Sequence, residues 1–226
     1  MLAALLDPGL DVPREETALG GRAGTPSTVV PELSEMSKGR MEAFSDGVMA
    51  ILITIMVLEL KVPQAADVLA LRPLVPVFLS YVLSFVYLGI YWNNHHHLLQ
   101  SIKQVDGRVL LANLHLLFWL SLIPFATGWV GENKFASWPV ALYGTVLLFA
   151  AVAYFILTRA LVVLHGRDSV LSTVLGRDFK GKISMAIYLV AVPIAFLSSW
   201  LAFALYVLVA SIWFVPDQRI EKALSK

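Results

Sequence analysis

Arg40-Met41-Glu42-Ala43-Phe44-Ser45-Asp46-Gly47-Val48-Met49-Ala50-Ile51-Leu52-Ile53-Thr54-Ile55-Met56-Val57-Leu58-Glu59 opens on charge and then runs apolar for the length of a bilayer crossing. A charged group at the threshold of such a helix is costly in hydrocarbon, so it marks either a function or a buried partner. At about 100° per residue, Gly47, Ile51, Ile55 and Leu58 share one face, with Thr54 at its flank. Ser45 and Asp46 point well away from that face. One side of the helix is therefore an aliphatic stripe, and the other carries polar groups that need protein partners. A helix surrounded only by lipid has no use for the second feature.

The rest of the chain agrees with a membrane origin. Of 226 residues, 58% are apolar and 15% charged, against about 25% charged in soluble domains. The mean hydropathy is +0.74. A net charge of +1 and the lack of a basic stripe give no reason to expect nucleic acid. Without cysteine the chain has neither disulfides nor thiolate metal sites. The length fits one membrane domain and leaves no room for a soluble catalytic one.

Outward from the first helix, three parts are expected. Residues 1–37, rich in Pro and Gly, read as a disordered tail on the side where the chain is made. Residues 38–216 form the membrane domain, and residues 217–226 a short cytoplasmic tail. The spans fall at about 41–60, 74–93, 109–130 and 138–164, with Arg159 near the end of the fourth. A polar loop follows over 166–182. The last apolar run, 183–215, is too long for one crossing: 33 residues reach about 50 Å against a core of about 30 Å. Split near Ser198-Ser199 it gives two short spans and six in all. With the N-terminus inside, six spans leave only Lys61, Arg72 and Lys134 of the 17 Lys and Arg outside. The expected fold is all-α, with both termini cytoplasmic in the cell membrane.

Each candidate for chemistry has a plainer reading beside it. His95, His96 and His97 suggest a metal site, but helix neighbours differ by about 100° and cannot all face one ion. A second ligand cluster is missing, so headgroup-level or interhelical hydrogen bonding is favoured, no metal is expected, and a membrane metalloenzyme is disfavoured. Asp46 could carry a proton or cation in a coupled transporter together with His95 and His96. Its position off the stripe favours a structural acceptor for Arg40, a histidine or an indole. The Ile51/Ile55/Leu58 stripe could be ordinary packing or a pore lining. Glu59 could draw cations to a mouth or simply be solvated. There is no carbonyl filter sequence and no catalytic triad, carboxylate pair or phosphate loop, so no enzyme and no cofactor are expected.

Arg40-x-x-x-Phe44-Ser45-Asp46 at the head of an apolar helix resembles the signature of the transmembrane protein 175 family of potassium channels. Tyr91-Trp92-x-x-His95-His96, followed by Ile102, Asp106, Asn113-Leu114 and Pro124-Phe125, resembles that family's second and third helices. The resemblance spans roughly residues 40–215. It implies six transmembrane helices per subunit and a homotetramer whose first helices line the pore. It further implies an aliphatic constriction at Ile51, Ile55 and Leu58, with the selectivity threonine at Thr54. Arg40, Phe44, Ser45, Asp46, Trp92, His95, His96 and Asn113 would form the polar network that holds the pore helices. The conducted ion would be K+, among monovalent cations, and the partners the lipid bilayer and other copies of the chain. Met49 stands where an aromatic is common in the family.

Overall fold

A computed structural model describes residues 29–166 and 179–214, and side chains from Lys38 onward. The described residues are helices and connecting turns, without strands. Helix α1 covers Val29–Leu58, and α2 covers Val75–Gln100. Next come α3, Gly107–Ser121, and α4, Ile123–Glu132. Finally α5 covers Ser137–His165, α6 Phe179–Ile194 and α7 Ser199–Phe214.

Among the described residues, four helical stretches are long and apolar enough to cross a membrane: Lys38–Leu58, Val68–Gln100, Gly107–Glu132 and Ser137–His165. The third stretch is α3 and α4 joined at Leu122. Pro124 lacks the N–H that would bond back to Leu120, so the helical hydrogen-bond ladder is interrupted there and then resumes. The final apolar run breaks where its length requires. Helices α6 and α7, 16 residues each, meet at a turn over 195–198, and the Ser198 hydroxyl accepts the Leu201 N–H at 3.3 Å. Each is about 24 Å long, shorter than a hydrocarbon core of about 30 Å.

Two boundaries differ from expectation. Helix α1 begins at Val29, so the backbone over 29–37 is helical where a disordered tail was expected; Pro31 lies in the first turn, which tolerates proline. Residues 1–28, most of the expected 166–182 loop and the expected C-terminal tail lie outside the described residues. Helix α2 runs to Gln100, seven residues past the expected end, and carries all three adjacent histidines within it. Two of those histidines find partners on other helices, as described below.

Local signals set the remaining ends. Asp67 accepts the Ala70 N–H at 2.9 Å and starts a 3-10 turn, Val68–Leu74, ahead of α2. Asp106 accepts the Val109 N–H at 2.8 Å and caps α3. Between α4 and α5, Lys134 and Phe135 take positive φ values of 49° and 62°. That left-handed backbone is unfavourable for a ring-bearing residue. Burial offsets it, since the Phe135 ring packs 4.7 Å from Trp200 and 4.7 Å from Phe203.

Helix α5 lies at the centre, against α3, α4, α6 and α7, whereas α1 leans chiefly on α2, α3 and α4. Buried tyrosines tie the centre together. The Tyr87 hydroxyl donates to the Tyr206 carbonyl at 2.6 Å and accepts from Tyr188 at 3.0 Å. Tyr206 in turn donates to the Val140 carbonyl at 3.2 Å. Ser84 bridges Thr127 at 2.6 Å and Tyr143 at 2.9 Å. Gly144 makes room for this network: a Cβ there would lie 2.6 Å from Cζ of Tyr206. Away from water, each hydroxyl needs such a partner.

Candidate functional site

The site is α1 itself, whose two sides meet different surroundings. Met41, Ser45, Met49, Leu52 and Met56, at helical spacing, are buried against the rest of the chain. On the opposite side Ile51, Ile55 and Leu58 are 57%, 41% and 80% exposed. Gly47 and Thr54 are exposed on that side as well. Ile51 and Leu52 are chain neighbours, yet one faces out and the other is core. The Thr54 hydroxyl donates to the Ile51 carbonyl at 2.8 Å, satisfying it within its own helix.

Other helices also expose apolar groups, but of another kind. The outer surface of α2 presents Phe78, Leu79, Val82 and Phe85, and that of α3 presents Leu111, Leu114 and Phe118. Those are bulky faces suited to acyl chains. The outer side of α1 instead mixes Ala43, Gly47, Ala50 and Thr54 with its aliphatic groups. Small residues of this sort let helix backbones approach closely inside a membrane.

Toward its N-terminal end α1 is pinned by polar contacts. Ser45, fully buried, donates to the Met41 carbonyl at 2.8 Å and accepts from Asn113 Nδ2 at 2.9 Å. Asn113 Oδ1 lies 2.8 Å from His95 Nε2. Because an amide oxygen only accepts, His95 carries its proton on Nε2 in this arrangement. One chain of hydrogen bonds thus joins α1, α3 and α2 through the core. A second one runs along the flank. The Trp92 indole donates to Asp46 Oδ1 at 3.0 Å and stacks on the His96 ring at 5.9 Å between centroids. His96 Nδ1 lies 3.1 Å from Glu42 Oε1, and Gln100 Nε2 lies 2.7 Å from His96 Nε2. With the Gln100 amide donating, Nδ1 holds the proton and donates to Glu42.

Six of the eight expected network residues therefore come together: Ser45, Asp46, Trp92, His95, His96 and Asn113. Arg40 and Phe44 do not join them. Both are exposed on the outer side of α1, and among the described residues Arg40 has no hydrogen bond or ion pair. Their spacing of four places them one above the other on the side turned away from α2 and α3. The three consecutive imidazoles diverge, as helical geometry requires: His95 meets Asn113, His96 meets Glu42, and the His97 ring lies 5.9 Å from that of His96.

Glu42 and Gln100 were not singled out from the sequence. Glu42 falls three residues before Ser45 and four before Asp46, and Gln100 four after His96, so helical spacing was the available signal. Nothing along the chain, however, says that α1 and α2 meet at these positions.

Residues 40–124 match a family described as the endosomal/lysosomal potassium channel TMEM175. A potassium channel from a Chryseobacterium species is 52% identical over 191 residues, covering 84% of this chain and all of that protein. The endosomal/lysosomal proton channel TMEM175 of Rattus norvegicus is 33% identical over 153 residues, 59% of this chain and 30% of that one. The crystal structure of a lysosomal potassium-selective channel TMEM175 homologue from Chamaesiphon minutus superposes with a TM-score of 0.69. It is 29% identical in sequence and is matched over 80% of this chain and 97% of its own. The chain belongs to the TMEM175 channel family.

Proposed function

We propose that this chain is one subunit of a potassium-permeable channel in which four copies enclose a pore lined by α1. The observation that carries the reading is the outer side of α1. Ile51, Ile55 and Leu58 stand free of their own subunit, opposite the buried Met41–Met56 side, and small residues between them permit close helix approach. In this reading all six apolar segments cross the membrane, with α6 and α7 as two short tilted spans. Both termini lie in the cytoplasm and the membrane is that of the cell.

The mechanism follows from the stripe. Four copies of Ile51, Ile55 and Leu58 meeting on an axis form apolar rings narrow enough to exclude water, which blocks ions by dewetting. Re-wetting needs only a small rotation or separation of the α1 helices. An apolar ring supplies no oxygen ligands, so the ion that sheds its hydration most cheaply passes most readily. That favours K+ over Na+, though far less strongly than a carbonyl filter does. Thr54, beside the rings, offers a hydroxyl to the passing ion. The Glu42–His96 and Ser45–Asn113–His95 contacts hold α1 at a fixed rotation, so the stripe stays aimed at the axis.

Cysteine scanning tests this directly, because the chain has no cysteine of its own. Leu58→Cys should form disulfide-linked pairs of subunits under mild oxidation, whereas Phe85→Cys on the bulky outer face of α2 should not. Purified protein in liposomes should pass K+ down its gradient without saturation. Saturable flux tied to proton movement would instead favour the carrier reading, with Asp46, His95 and His96 on the path.

A further inference from the structure

We infer that the groove between α3 and α5 at the basic end of the bundle is a binding site for an anionic phospholipid. Its headgroup phosphate would lie between Arg108 and Arg159, and an acyl chain would run along α5. The groove is open, about 570 Å³ in volume, and is lined by Arg108, Phe155, Ile156, Arg159 and Val163 among others. It thus sets two guanidinium groups over an apolar floor, which matches the two halves of a phospholipid.

Among the described residues neither arginine forms an ion pair or hydrogen bond, and the Arg159 guanidinium lies 5.0 Å over the Phe155 ring. Asp106 also lines the groove, but its carboxylate accepts the Val109 N–H at 2.8 Å as the cap of α3. The described lining therefore carries two positive charges against one negative. Depth supports a lipid over a soluble anion. Arg159 precedes the end of α5 at His165 by six residues, about 9 Å along the axis. Arg108 is the second residue of α3. Such a pair sits where acyl chains give way to headgroups, and a guanidinium there extends toward phosphate while its stem stays in apolar surroundings. Arginine also suits phosphate because its planar fork can donate two parallel hydrogen bonds.

The test is native mass spectrometry of the purified full chain after exchange into mixed micelles of phosphatidylglycerol and phosphatidylcholine. Wild type should retain phosphatidylglycerol in preference to phosphatidylcholine, one molecule per subunit. Arg108→Gln or Arg159→Gln should weaken retention about fivefold and the double variant about thirtyfold, the loss expected for one and two interfacial charges. Arg72→Gln, at the opposite end of the bundle, should change nothing. Arg108→Lys with Arg159→Lys keeps the charge, guards against a folding defect, and should retain most of the lipid. Equal retention of the two lipids by wild type would overturn the inference, as would undiminished phosphatidylglycerol in the double Gln variant. Displacement of the lipid by millimolar inorganic phosphate would overturn it too, by assigning the arginines to a soluble anion.

Discussion

The two sides of α1 are made of similar residues and serve opposite ends. Ile51 and Leu52 are isomers that differ only in where the side chain branches, yet Leu52 is 6% exposed and Ile51 is 57% exposed. The buried side includes Ser45, tied to Asn113 and through it to His95. The outer side offers no polar anchor to its own subunit beyond hydroxyl and backbone groups already satisfied within the helix. Hydrophobicity alone does not separate the two sides. What separates them is which side carries the polar residues that other helices of the same chain can reach. The buried side fixes the rotation of α1; under the proposed function the outer side would be left for other copies and for the ion.

The sharpest way to break this comparison is to place the same substitution on each side. Leu52→Asn removes a buried side chain and leaves an amide without partners, a loss of about 3 to 5 kcal/mol. The subunit should fail to survive detergent extraction as a monodisperse species on gel filtration. Ile51→Asn should leave the stability within about 0.5 kcal/mol of wild type, yet raise K+ leak in liposomes about tenfold or more and reduce discrimination against Na+. Unchanged conductance in a well-folded Ile51→Asn protein would remove that residue from the constriction.

A second substitution sharpens the polar end. Asn113→Ala strands the Nε2 proton of His95 and removes the donor to Ser45, costing about 1 to 3 kcal/mol because both are buried. Ser45→Ala should cost less, since it takes away a single acceptor and the Ser45 donor bond is internal to α1. The melting temperature in detergent should fall in that order. The reverse order would mean that the Ser45 contact, and not the bridge to α2, fixes the rotation.

The flank contributes less. Trp92→Phe keeps a ring to stack on His96 but loses the donor to Asp46, a change of about 0.5 to 1.5 kcal/mol. Asp46→Asn keeps an oxygen that accepts from the indole and should be milder than Asp46→Leu. If Asp46→Asn alone abolished K+ flux with the melting temperature unchanged, the charge itself would be on the ion path.

These contrasts show what the chain makes legible. The stripe and the off-stripe position of Asp46 follow from helical periodicity, which is local. The break of the last apolar run follows from length against membrane thickness, and its position near Ser198 from the only polar pair inside it. The partners of the polar residues are a different matter. That Glu42 would meet His96, that Arg40 would stand apart from the cluster, and that α2 would continue to Gln100 all depend on how α1 and α2 cross. The tyrosine network around Ser84, Tyr87 and Tyr206 was equally hidden, because a lone tyrosine in an apolar run carries no sign of its partner. The small-residue pattern at Gly47, Ala50 and Thr54 was present in the sequence, but acquires meaning only once those positions are seen to be free of their own subunit.

The far end of α1 gives the smallest effect. Lys61 Nζ lies 2.8 Å from Glu132 Oε1, linking the segment after α1 to the end of α4. That hydrogen bond, reinforced by the attraction of opposite charges, holds the Lys61 ammonium above its ordinary pKa. A raised lysine pKa stabilises the fold below the ordinary value of 10.5, and the contribution is lost only as pH rises through the higher folded value. The pair should therefore add no pH dependence between about pH 6 and 9. Both side chains are well exposed, at 76% and 57%, and exposed pairs contribute little because water screens them and ordering two long side chains costs entropy. Lys61→Met should leave the melting temperature unchanged in detergent. A clear drop would mean that this end of α1 is shielded from water in the working protein, as it would be if neighbouring copies closed over the mouth beyond Leu58.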